Sequence, residues 1–201
     1  MKGAAGIFDV LYYGVIAVAL SFIAAGLPAC GKLGNPAEPS PEAVTAGDDP
    51  VLRNVRQYNA DRNGGKTVRW PDATVSVYDA AGVNTQSVID DWNSALGGKL
   101  TLVVSGPGAA IEMVVDDSVP CGNAHTNCDG RGRLTKATIK LNPGCRRASV
   151  VRHEVGHAIG FFGHTSNGGV MDTDTGNGAI TATARETLRK LYELAPGTKI
   201  N

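Results

Sequence analysis

The chain has 201 residues and a mass of 20.8 kDa, with 42% apolar and 19% charged residues. Lys plus Arg and Asp plus Glu each total 19, so the formal charge is zero; that argues against a nucleic-acid binder and against a charged interaction tail. Only one segment is long and apolar enough to cross a bilayer, which excludes a multi-span membrane protein.

Residues 1–29 read as an export signal. Lys2 precedes an apolar run over residues 10–27, and small residues follow. The string Leu27-Pro28-Ala29-Cys30 resembles the lipobox of bacterial lipoproteins. That resemblance implies Cys30 as the lipidated N-terminus of the mature chain and a membrane partner held through the lipid. An ordinary secretory signal and an uncleaved anchor helix are the alternatives. All three put the remainder outside the cytoplasm, in the cell envelope or secreted. Residues 30–66, with Pro36, Pro39, Pro41 and Pro50, have the composition of a flexible tether. The mature part then holds Cys121, Cys128 and Cys145. Disulfides are permitted there. The odd number predicts one thiol either free or paired elsewhere, and the pairing stays open.

A folded domain is expected over residues 67–201. Residues 68–70 and 73–78 alternate and are β-branched, which predicts a first strand containing Trp70. Asn84 or Thr85 starts a helix to Leu96, with Val88, Ile89, Trp92 and Leu96 on one face and Gly97 ending it. Strands follow at 100–105, 111–115 and 137–141, separated by a loop-rich stretch at 116–134. A helix spans about 146–159 and a last one about 181–194, with Leu188, Leu191 and Tyr192 inward. This order predicts a mixed α+β layer structure.

Chemistry concentrates in His153-Glu154-Val155-Gly156-His157. Four residues turn a helix through about 400°, so the two imidazoles share one face and can bind one zinc ion. Glu154 lies beside them, able to take a proton from a zinc-activated water. Gly160 suits a helix-ending turn, and His164 can supply a third nitrogen. Three protein ligands make an open, catalytic zinc site. Met171 follows in a Gly-rich turn. His125 is a lone loop histidine, for which a solvated role is the plainer reading.

His153-Glu154-x-x-His157-x-x-Gly160, with His164 and Met171, resembles the metzincin metalloproteases, and the upstream order with Trp70 looks most like the matrixin branch. The family spaces its glycine and third histidine by two residues; here Phe161, Phe162 and Gly163 intervene. A one-residue bulge, with Gly163 at an unusual backbone angle, would still bring His164 to the metal. Asp172, Asp174 and Glu186 are rival third ligands. The resemblance implies peptide-bond hydrolysis with Glu154 as base, His153, His157 and His164 holding one zinc, and Gly160 and Met171 as structural support. It implies a protein or peptide substrate lying along 137–141 as an edge strand. The astacin-type Tyr after the Met is absent, since Asp172-Thr173-Asp174 stands there. Calcium is a further expectation, at Asp116-Asp117 or 172–174. A monomer is the default. Two other functions remain open: a non-catalytic zinc-binding envelope lipoprotein, and a zinc hydrolase of peptidoglycan peptide cross-links.

Overall fold

The computed structural model describes residues 40–201. The export segment and Cys30 lie outside the described residues. No helix among the described residues is long and apolar enough to cross a membrane.

Five strands form one mixed sheet: β1 (Thr74–Asp79), β2 (Thr101–Val104), β3 (Ile111–Val115), β4 (Gly122–Cys128) and β5 (Leu134–Leu141). Their order is β2-β1-β3-β5-β4. All pairs are parallel except β4 with β5, which is antiparallel. Alternation explains the buried face: Val75, Val77, Ile111, Met113, Ala137, Ile139 and Leu141 are all at most 2% exposed. Helices α2 (Gln86–Leu96) and α3 (Ala148–Ala158) pack against the sheet. The face expected for α2 is buried as expected, and Gly97 ends that helix in the left-handed region.

Two features of the sheet differ from the sequence expectation. The edge strand beside α3 is β4 rather than 137–141, because β5 is hydrogen-bonded on both sides. β4 was hidden in the loop-rich stretch because its sequence, GNAHTNC, is polar, as an edge strand often is. Trp70 also stands outside β1. Arg69 bridges to Arg133, and residues 71–73 bend before the strand begins.

The polar stretch before residue 67 is part of the packed body. Helix α1 (Pro50–Tyr58) opens with Asp49 accepting from Val51 N at 2.8 Å and Leu52 N at 3.2 Å, and Pro50 takes the first turn. It packs on α4 (Ala182–Leu191). Val44 pairs with Ile200 and Lys66 with Lys199, so the C-terminal residues are clasped between two N-terminal segments. The tether expected to reach residue 66 therefore gives way to packed chain by Val44.

Cys121 and Cys145 form a disulfide, with Cα atoms 5.1 Å apart. Closing that loop stabilises the fold by about 3 kcal/mol on the chain-entropy account. Cys128 is disulfide-bonded as well, so of the two outcomes expected for the odd thiol, free or paired elsewhere, it is the second.

Asn59 is fully buried just after α1. Its amide nitrogen donates to Val68 O and Gly160 O, both at 2.7 Å, and its oxygen accepts from Val68 N at 2.8 Å. Asn59→Ala leaves those groups unpaired and is expected to lower stability by about 2–4 kcal/mol, read from urea unfolding. A loss below about 0.5 kcal/mol would contradict the anchoring role.

Candidate metal centre

Helix α3 is amphipathic around its chemistry. Val150, Val151, Val155 and Ala158 face the core, while His153 and His157 are one turn apart. Its C-terminal carbonyls would be orphaned without side-chain donors. Trp70 Nε1 donates to Ala158 O at 2.9 Å and Tyr192 Oη to Ile159 O at 2.9 Å, while Trp92 Nε1 donates to Arg152 O at 3.0 Å in mid-helix. Asn59 serves Gly160 O. The helix end is thus held by Asn59 after α1, Trp70 before β1 and Tyr192 after α4, and its middle by Trp92 of α2.

Gly160 has φ +107°, and a Cβ there would lie 2.9 Å from Leu191 Cδ2. Only glycine both turns the chain and lets α4 approach. The extra residue before His164 is accommodated differently from the expected strained bulge. Gly163 is not among the positive-φ residues; a Cβ there would lie 2.7 Å from Tyr58 Cδ1. The glycine makes room for Tyr58, whose ring stacks on Phe161 at 4.6 Å and whose carbonyl accepts from Phe162 N at 2.7 Å.

The turn brings His164 to the other two histidines. The Nε2 atoms are 2.9 Å apart for His153 and His157, 3.3 Å for His157 and His164, and 3.2 Å for His153 and His164. His153 Nδ1 faces Val170 O at 2.6 Å and His157 Nδ1 faces Phe161 O at 2.5 Å. A carbonyl oxygen only accepts, so each Nδ1 carries the proton and each Nε2 presents a lone pair. Burial pushes His153 down to about 4. It lowers His157 far below its ordinary value and lowers His164 too, with the Arg62 charge adding at both. All three are therefore neutral at pH 7, the form that ligates metal. A tetrahedral ion with nitrogens at 2.0–2.1 Å sets them about 3.3 Å apart, so this donor set fits zinc.

Among the described residues, these three histidines form the one group able to share a metal. The rival ligands are occupied elsewhere. Asp172 accepts from the Thr165 hydroxyl, from Asn167 N at 3.1 Å and from Gly168 N at 2.6 Å, closing the loop that follows His164. Asp174 accepts from Gly176 N, and Glu186 lies exposed near Arg185. The carboxylate named for calcium at Asp116 pairs with Lys140 at 2.8 Å and accepts from Ser118. His125 sits half-buried on β4.

Glu154 is 5% exposed. Burial pushes its carboxyl up to about 8, opposed by a hydrogen bond from Ala124 N–H. A Cβ on Gly122 would lie 2.5 Å from Glu154 Oε1. The start of β4 is thus bare where the carboxyl packs, and the Cys121–Cys145 disulfide pins it near the start of α3. Gly156 has the same kind of role. A Cβ there would strike Met171 Sδ and lie 3.0 Å from Trp92 Cζ2. Met171 therefore packs directly against the glycine of the helix motif, with its carbonyl accepting from Thr165 N at 2.9 Å.

A mixed five-stranded sheet, a helix bearing two histidines, a turn delivering the third and a methionine packed on that helix define a metzincin-like zincin domain. A protein-family model described as Astacin, a peptidase family, matches residues 123–172, from β4 through the Met171 turn. No curated protein matches the chain. Together the match and the histidine triad support a zinc metallopeptidase.

Gly156→Ala is expected to displace Met171 and cost about 1–3 kcal/mol by overpacking, with weaker zinc retention measured by metal analysis after dialysis. Unchanged stability and zinc content would show that the close approach is dispensable.

Proposed function

We propose that the protein is a zinc-dependent endopeptidase of the metzincin clan. The observation that carries this is the convergence of three imidazole Nε2 atoms within 3.3 Å of one another, on the helix that also buries Glu154. His153, His157 and His164 hold the zinc. Bound zinc supplies Lewis acidity to a peptide carbonyl and makes a water acidic near neutral pH.

The chain's own residues do the rest. Glu154 accepts a proton from the attacking water and returns it to the leaving amine nitrogen. Ala124 N–H and the bare Gly122 orient the carboxyl. The free edge of β4 offers a substrate strand backbone donors and acceptors. Met171 supports α3 from the core side. The branch within the clan is a finer matter: the matrixin-like reading rests on sequence pattern alone, while the family match is to an astacin model.

Export and lipid attachment through Cys30 belong to the same reading. The apolar leader and the Leu-x-Ala-Cys string support it, as does the Cys121–Cys145 disulfide, since such bonds persist in oxidising compartments. Cys30→Ala is expected to move the protein from the membrane to the soluble fraction; unchanged membrane association would contradict lipidation.

The activity is tested with an unbiased peptide library. The wild type is expected to cleave and to stop on zinc chelation. Glu154→Ala is expected to keep its zinc and lose about a hundredfold or more in rate. Equal cleavage by the two proteins would remove Glu154 from the mechanism, and no cleavage by zinc-loaded wild type would contradict the peptidase reading.

A further inference from the structure

An open pocket of about 640 Å³ lies where α2, α3, α4 and the loop after Met171 meet, lined by Asp91, Arg152, Gly178, Ile180, Arg185 and Arg189 among others. The size falls in the range of small-ligand sites. Its charge is one-sided, with three guanidinium groups against one carboxylate.

The carboxylate is already engaged. Asp91 Oδ2 accepts from Arg152 Nε at 3.0 Å and Arg152 Nη2 at 2.5 Å. Arg152 Nη1 donates to Gly178 O at 2.8 Å, and only 19% of the side chain is exposed. That guanidinium is held rigidly in the wall. The other two carry charge that the wall does not balance. Arg189 Nε donates to Ala95 O at 2.7 Å, a neutral acceptor. Arg185 reaches Glu186 only at 3.8 Å, on the exposed side. Arg185 and Arg189 stand four residues apart on α4, where like charges repel.

We propose that this cavity binds a small polyanion bearing at least two carboxylate or phosphate groups. Two guanidinium groups that no carboxylate of the lining neutralises, Arg185 meeting Glu186 only outside it, set the minimum charge, and their forked donors suit both oxyanions. The site is separate from the histidine triad and does not depend on the peptidase reading. Its wall nonetheless includes Arg152, next to His153, and Gly178, in the loop that leads from Met171 to α4. A bound anion would clamp that loop and α4 to the back of the metal-bearing helix. Stability would rise with ligand concentration because only the folded state binds.

The test uses the purified full chain at constant ionic strength, with tricarballylate as the polycarboxylate and fructose bisphosphate as the phosphate probe. At least one is expected to raise Tm and to bind saturably by calorimetry with Kd below about 1 mM. Arg185→Gln is expected to weaken that binding about tenfold or more, with its ligand-free Tm unchanged. Whichever probe binds more tightly identifies the anion source. Any chelation of metal by a probe acts on both proteins alike and is subtracted by the comparison. No saturable binding of either probe by about 10 mM, or equal binding by wild type and Arg185→Gln, would overturn the proposal. If the ligand-free Tm of Arg185→Gln falls, Arg185→Lys, which keeps the charge, must restore binding at least in part; failure to do so would also overturn it.

Discussion

Three imidazole lone pairs pointed at one another from about 3 Å repel unless a cation lies between them. Most of what is distinctive in this chain serves to enforce that arrangement. Val170 O and Phe161 O each fix an Nδ1 proton, which commits the opposite nitrogen of His153 and His157 to the shared centre. The Gly160 turn carries the third ring back, and Asn59 holds the carbonyl of that turn. Asp172 closes the loop behind His164. A donor set this confined is costly in the metal-free chain, and metal binding to the folded state repays it in stability.

Close approach through glycine is the second constraint. Gly122 leaves space for the Glu154 carboxyl, Gly156 for the Met171 sulfur, Gly160 for Leu191 and Gly163 for the Tyr58 ring. Three of these four are not in the left-handed region, so their value lies in the missing Cβ rather than in unusual dihedrals. Each one lets a different element press on the helix or the turn that bears the histidines. A methyl group at Gly122 or Gly156 would strike Glu154 or Met171 directly, and one at Gly160 or Gly163 would push back the packing of Leu191 or Tyr58 on the turn.

Much of this was legible in the residues. α2, β3 and α4 declared themselves through helical or alternating burial, and Gly97 through its position after Leu96. The histidines were legible because four-residue spacing on a helix has few other uses. What stayed hidden has physical causes. β4 is polar because one of its edges is unpaired, so periodicity said nothing, and the edge was assigned to its apolar neighbour. α1 is hydrophilic on most of its surface and buries little beyond Val55, although Asp49 and Pro50 form an ordinary helix start. The role of Asn59 depends on Val68 and Gly160, the latter 101 residues away, and no local pattern encodes such a partner. Gly163 invited a backbone argument, whereas the answer was a ring from the segment read as tether.

The proposed zinc site rests on three histidine nitrogens sharing one ion. Zinc-edge X-ray absorption on the purified protein, paired with metal analysis, tests it most directly. One zinc per chain is expected, with three imidazole nitrogens at about 2.0–2.1 Å and one further light ligand, reduced to two imidazoles or lost altogether in His164→Ala. A shell of two imidazoles in the wild type, or one left unchanged by His164→Ala, would contradict it.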